Sequence, residues 1–331
     1  MRASKHPALL IGLATLLVAV LAVILFRVNP PPTIKPVRIG YLPIYVDLPL
    51  FVAKEKGFFQ QRGVRVELVR FASSPDIGTA LTTGDIQFGA SIAYSVALSN
   101  ESRDPGKLRI FIVDSETPEN YLSSIVVPRH SPIRSIEDLK GKKIGSFPGP
   151  TAMTFCKLVL EKHGLTAGTN VDVVELEVAS HLSALEAGTV DALFTYEPTA
   201  TQAVIEKGAT KLLAGAVEKE VINPWQAGVW VVSTQFRTAS PTQARSVMLA
   251  LYDAIDYIRN DPADAKICLT SYTSIKPNVA AATPNIPFAK LAEVDRTAFQ
   301  KHADILLSRK IISKPIDTGS LLIPPEWIAT K

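Results

Sequence analysis

A two-lobed α/β fold with two hinge crossings, preceded by one N-terminal transmembrane helix, is what the 331-residue sequence predicts, from three observations. From Val37 onward, short β-branched runs alternate with helix-length segments, the pattern of largely parallel sheets covered on both faces. The alternation restarts at Lys142, as though a second lobe began there. Ala8 to Phe26 is free of charge and, at 1.5 Å per helical residue, spans about 28 Å, close to the ~30 Å hydrocarbon core of a bilayer.

Taken in order, the apolar segment reads as an uncleaved signal anchor. A cleavable signal peptide has a shorter apolar region and a small-residue cleavage site, and neither precedes Arg27. A buried core helix fits less well, since the segment is terminal and apolar on every face. Arg2 and Lys5 before it and Arg27, Lys35 and Arg38 after it do not fix its orientation by charge. Asn29 to Thr33, rich in proline, reads as a stiff stalk, so residues 1–36 are assigned to anchor and stalk.

Val37 to Leu42 is the first expected strand, followed by a helix from near Leu48 to Gly57 and by an alternating strand, Val64 to Phe71. A helix over Pro75 to Thr83, a strand over Ile86 to Ile92, a helix over Ala93 to Asn100 and strands over Leu108 to Asp114 and Leu122 to Pro128 continue the pattern. After a one-turn helix at Ser135 to Gly141, the second series runs as strand Lys142 to Phe147, helix Thr151 to His163, strand Val171 to Leu176, helix His181 to Gly188 and strand Ala192 to Tyr196. Ala80-Leu81-Thr82-Thr83-Gly84-Asp85-Ile86 is echoed by Ala184 to Ala192, each a helix end, a glycine turn and a strand. A strand at Gly228 to Ser233 then leads into helices over Pro241 to Arg259, Ala263 to Ser271 and Phe288 to Ser308. With this tail packed on the first lobe, the chain crosses near Ser124 to Pro128 and near Trp230 to Thr234. The expected lobes are 37–126 with 233–331, and 127–232.

Net charge is +4 with a pI near 8.9, and the basic residues are dispersed, which gives no nucleic-acid footprint. Cys156 and Cys268, the only cysteines, have no metal-ligand spacing and read as buried thiols.

PLFVAKEKGFF after the first strand, ALTTGDIQFGAS, IEDLKGKKIG, the Gly149 to Thr151 helix entry, LEAGTVDALFTYEP and GVWVVSTQF together resemble the solute-binding proteins of ABC importers for sulfonates, taurine, nitrate and thiamine precursors. The resemblance is close over Val37 to Asp261 and looser in the tail. It implies the type II periplasmic-binding fold, a small-molecule ligand, and a permease with its ATPase as partners. It also places the folded part, as a monomer, on the extracytoplasmic (periplasmic) face, anchored through residues 8–26 or released if that segment is cleaved. A retained helix departs from the family's usual cleaved signal or lipid anchor.

Ligands of open α/β sheets bind outside the carboxyl ends of the strands, so the loops there are candidate walls. Ser73, Ser74, Gly149 and Thr151 sit at helix entries, where unpaired amides and the helix dipole favour an oxyanion, although N-capping is their simpler role. Ser91 falls in another such loop. Tyr45, Tyr94, Phe147, Tyr196 and Trp225 are candidates to stack on a planar ligand or to pack in the core. Glu197, before Pro198, matches an acidic-Pro step of the family and is expected to bind ligand or hold the hinge. Asp47 is placed to cap the first helix or to contact ligand. The candidate loops contain acids but no Lys or Arg, so an anion would depend on helix ends, hydroxyls and His181. A pyrimidine-like thiamine precursor is therefore expected at least as readily as a sulfonate. No cofactor, metal site or catalytic residue is expected. An enzyme on the same fold, a lyase or thiamine-precursor synthase, lacks the Cys- or His-rich cluster, nucleophile elbow or metal spacing it would need. An anchored ligand sensor is the other alternative.

Overall fold

In the computed structural model, which describes residues 35–328, every strand joins one of two sheets. By its contacts the chain separates into Met1–Pro36 and Val37–Lys331, and the description concerns the second unit. The expected membrane helix at 8–26 and the stalk lie outside the described residues. Among the described residues no helix is long and apolar enough to cross a membrane.

The first sheet contains β1 (Val37–Tyr41), β2 (Val66–Arg70), β3 (Phe88–Ala93), β4 (Leu108–Glu116), β10 (Trp225–Ser233) and β11 (Phe288–Lys290), in the order β11-β4-β10-β3-β1-β2. The second contains β5 (Ser123–Val127), β6 (Lys143–Ser146), β7 (Asp172–Glu175), β8 (Ala192–Tyr196) and β9 (Thr210–Ala214), in the order β7-β6-β8-β5-β9. Both are mixed, which corrects the expectation of largely parallel sheets. β1 pairs in parallel with β2 and β3, and β6 with β7 and β8, but β10, β4, β11, β5 and β9 run antiparallel to their neighbours. The internal echo has a structural counterpart: β2-β1-β3 matches β7-β6-β8, and the turn glycines Gly84 and Gly188 both adopt positive φ, 85° and 70°, open to glycine without a Cβ clash. Beside β3 lies β10, and beside β8 lies β5. The chain thus reaches equivalent positions in the two sheets from opposite directions in sequence.

That exchange defines the crossings. β4 ends at Glu116 in the first sheet and β5 begins at Ser123 in the second, while β9 ends at Ala214 and β10 begins at Trp225. The crossings are therefore 117–122 and 215–224, earlier than expected, because β5 and β10 are each already committed to their new sheet along their whole length.

Helix Leu48–Glu55 buries Leu48, Leu50, Phe51, Val52 and Ala53 against the long helix Pro241–Asn260, which turns Val247, Met248, Leu251, Ala254, Ile255 and Ile258 inward at helical spacing. Outside this seam Arg62 donates to both carboxylate oxygens of Asp253, at 2.7 and 2.8 Å. The tail departs from expectation at one place. Phe288–Lys290 is an edge strand rather than the start of a helix, and the helix begins at Arg296, capped by the Asp295 carboxylate. Helix Thr199–Lys207, strand β9 and helix Ala216–Glu220 also lie where no element was expected. Cys156 and Cys268 are both buried and unpaired.

Candidate functional site

A cavity lies between the carboxyl-end loops of the two sheets, with about 660 Å³ free of protein atoms, part of it open to solvent. From the first half come Leu42, Ile44 and Val46 after β1, Ala72 to Pro75 after β2, Ser91 and Ala93 of β3, Asp114 of β4, and Trp225, Ala227 and Gly228 of β10. From the second come Phe147 to Ala152 after β6 and Tyr196 at the end of β8, with Leu122 on the crossing. Most of the wall is apolar. An outer groove shares Leu42, Ile44, Ala72 and Phe147 with it and continues past Arg70, Glu177 and Gln202 toward Tyr272 to Ile275.

An aromatic wall bridges the halves. Phe147 and Tyr196 have ring centroids 4.5 Å apart, Tyr196 and Trp225 5.8 Å, and Phe155 supports Trp225 at 5.1 Å. Two helix starts, Ser74 and Pro150, reach the cavity. Across its side, the Ser95 and Thr151 hydroxyls hydrogen-bond, joining the first turns of helices Tyr94–Arg103 and Pro150–Lys162. The serine hydroxyls are largely occupied by the fold. Ser73 Oγ accepts from the Asp76 amide at 3.4 Å and donates to Asp76 Oδ2 at 2.7 Å, while Ser74 Oγ accepts from the Ala93 amide at 3.1 Å.

At the base of the first half, Asp114 is only 1 % exposed. Ser91 Oγ donates to its Oδ1 at 2.8 Å, and Oδ2 has no hydrogen-bond partner. Burial pushes the carboxyl up to about 7, the Ser91 hydroxyl and the neighbouring Gly228 amide offsetting part of that shift. The backbone at Gly228 crosses directly over the pair: a Cβ there would lie 2.4 Å from Ser91 Oγ and 2.8 and 2.9 Å from Oδ2 and Oδ1 of Asp114. Only glycine permits this approach.

Ser73, Ser74, Ser91, Gly149, Thr151, Tyr196 and Trp225 thus stand on the wall, and four other candidates stand off it. Tyr45 is fully buried in the core behind the loop. Asp47 does not cap its helix: it is fully buried, and its Oδ2 accepts from the Leu42 amide at 2.6 Å, closing the β1 loop on itself. Tyr94 turns away to stack on Phe299 at 4.2 Å and donate to its carbonyl at 3.2 Å. Glu197 is fully buried, accepts from the Thr201 amide at 3.0 Å and pairs with Lys211 Nζ at 2.6 Å. Lys211 is held further by Thr201 Oγ1 at 3.0 Å and lies 5.0 Å over the Tyr121 ring. His181 cannot offer a cation, because burial takes its imidazole down to about 4. Its Nε2 donates to the Leu176 carbonyl at 3.1 Å and its Nδ1 accepts from the Thr195 hydroxyl at 2.9 Å.

At the crossings, Glu116 accepts from the Leu122 amide at 2.8 Å, the Ser123 amide, Ser123 Oγ at 2.9 Å and the Glu218 amide at 2.8 Å. Ser123 in turn receives the Gly215 amide on its carbonyl at 2.8 Å and the Val217 amide on its hydroxyl at 2.9 Å. Both connections are tied to one carboxylate. Sequence reasoning missed this clasp and Lys211, and it counted Asp114 only among the acids of the candidate loops, without a role of its own. Asp114 did carry a signal: it is the lone charge at the carboxyl end of the apolar run Ile110-Phe111-Ile112-Val113. Among the described residues no cluster of three or more His, Cys, Asp or Glu is disposed to hold a metal.

Comparison with known proteins decides the family: the profile of the NMT1/THI5-like family matches residues 46–265. The chain belongs to the NMT1/THI5-like family. A Bacillus subtilis protein named for binding aliphatic sulfonates is 27% identical over 300 residues, covering 87% of this chain and 86% of that protein. The alkanesulfonate-binding protein SsuA of Xanthomonas axonopodis, solved with MOPS, superposes with a TM-score of 0.71 at 25% identity, over 87% of this chain and 98% of that one. The desulfurization enzyme DSZB shares the fold at a TM-score of 0.66, over 88% of this chain and 97% of that one, but at 18% identity it shows the fold alone. This member of the family groups with binding proteins rather than enzymes, and its two-sheet α/β fold is that of periplasmic binding proteins.

Proposed function

We propose that this protein is the extracytoplasmic solute-binding component of an ABC importer, holding a small organic solute between its two halves and delivering it to a permease. The observation that carries the reading is the cavity itself, walled by strand-end loops of both sheets and bridged by the Phe147, Tyr196 and Trp225 rings. A solute touching both halves favours their closed arrangement, and that difference in affinity is what a permease can read. The chain acts as a monomer, tethered by its apolar segment 8–26. The solute has an apolar or planar body, of the thiamine-precursor pyrimidine class or the sulfonate and taurine class. Native mass spectrometry of freshly purified protein should show a small molecule retained, with the apo form regaining thermal stability when that molecule is added back. An apo form that no member of either class stabilises would remove the proposal.

A further inference from the structure

The wall leaves two buried polar atoms without partners, Asp114 Oδ2 and Trp225 Nε1. An unmet acceptor and an unmet donor on one apolar cavity are unfavourable unless a bound group supplies the missing bonds. The lining contains no Lys, Arg or His, so only the two helix starts at Ser74 and Pro150 favour an anion there, and the one ionisable carboxyl on the wall opposes it. The buried Asp47 carboxyl is raised well above the usual range, first by burial and in part by the Asp114 charge, so it stays protonated and Asp114 is the group there that carries the negative charge. The strands flanking Asp114, β10 and β11, present Gly228 and Phe288 opposite it, and Ser91 reaches it from β3 beyond β10, so none of the three places a basic group directly against it.

We propose that Asp114 is the specificity-determining acceptor of the site, its Oδ2 receiving an N–H of an ammonium or amidinium-type group on the solute, with Trp225 Nε1 donating to an acceptor on the same molecule. This deepens the solute-binding reading and rests on it. The aromatic wall holds the apolar body, and Asp114 selects nitrogen over a sulfonate of the same shape. A cationic donor favours the ionised carboxylate and a sulfonate the protonated one, so the two classes differ in the sign of their pH dependence. With a carboxyl near 7, affinity for a cationic donor rises about tenfold from pH 6 to pH 8, whereas affinity for a sulfonate falls over the same interval.

Calorimetry on the full chain with benzylammonium, benzamidinium and phenylmethanesulfonate, at pH 6, 7 and 8, tests the assignment. The expected result is tighter binding of the two cations than of the matched sulfonate, growing with pH. Asp114→Asn should lower cation affinity at least tenfold at pH 8 and flatten the pH response. Since that variant also changes a buried group, Ser91→Ala serves as a second test. It keeps the carboxylate but removes the Oδ1 donor, and should move the midpoint of the pH response upward. Sulfonate binding tighter than that of both cations, or cation affinity unchanged in Asp114→Asn, overturns the role of Asp114 while leaving the solute-binding reading in place. Failure of all three probes to bind at any pH overturns the role of Asp114, and the solute-binding reading falls with it only where the retained-solute and add-back test above also fails.

Discussion

Gly228→Ala gives the sharpest test of how the cavity floor is held. The added Cβ would sit 2.4 Å from Ser91 Oγ and under 3 Å from both Asp114 oxygens, where a carbon–oxygen contact needs about 3.4 Å, so something must move by about 1 Å. The cheapest movement rotates the Ser91 hydroxyl away, and that breaks its 2.8 Å bond and leaves Asp114 with two unmet oxygens. Overpacking of a filled interior costs about 1–3 kcal/mol, and stranding a buried acceptor costs a similar amount, so a loss of about 2–4 kcal/mol is expected. Urea denaturation at constant pH measures it, through a lower midpoint at unchanged slope. Ser91→Ala combined with Gly228→Ala removes the closest contact, so the double variant should lose less than the sum of the singles, with a coupling of about 1 kcal/mol or more. A stability within 0.5 kcal/mol of the parent for Gly228→Ala, or strict additivity in the pair, would refute the reasoning.

Other expectations concern the hinge, the closing contacts and pH. Glu116→Ala strands three amides and a hydroxyl and should cost about 3–5 kcal/mol, with Glu116→Gln intermediate because one oxygen remains to accept; equal losses for the two would point to packing instead. Lys276 and Glu206 pair at 3.1 Å between the tail and the second half, so Lys276→Ala should weaken solute binding no more than about fivefold by calorimetry, an effect that fades in high salt. Burial takes His302 down to about 3 and His181 to about 4, so each contributes stability above its unfolded value that is lost as pH falls from about 6.5 toward 4. Asp114, raised to about 7, works the other way, its contribution being lost as pH rises through the same window. Asp114→Asn should therefore make stability fall more steeply on acidification between pH 7 and 5, by up to about 1.4 kcal/mol per pH unit in denaturation series, and an unchanged slope would contradict the assignment.

Much of the first half was legible because its signals are local. The helix after β1 announces itself by Pro49 and an apolar face, and the glycines at 84 and 188 mark helix ends by the conformation they alone adopt readily. Pairing direction was not legible, because antiparallel β10 enters beside β3 from more than a hundred residues away, and no periodicity within either strand records its neighbour. Strand β9 escaped notice for a related reason: Thr210 to Ala214 is short and opens on Thr and Lys. With it went Lys211, and so Glu197, expected to bind ligand or hold the hinge, was read without the partner that makes it half of an internal ion pair. The residue types at the site were readable, but their direction was not. Tyr45, Asp47 and Tyr94 sit in the expected loops and point inward, each drawn by a hydrogen bond or ring contact made with residues far along the chain or by burial that sequence spacing does not encode.

The clasp at Glu116 bears on how the halves can move. A chain that passes twice between two bodies is, in general, free to twist about either connection as well as to fold about both. Here the two connections meet at a single carboxylate, so a displacement of one bends the bonds that fix the other. Torsion about either connection alone strains bonds that the other shares, so a movement that carries both connections together is the one these contacts oppose least. The mechanical effect is to couple two joints into one, since neither connection can be displaced without loading the carboxylate that holds the other.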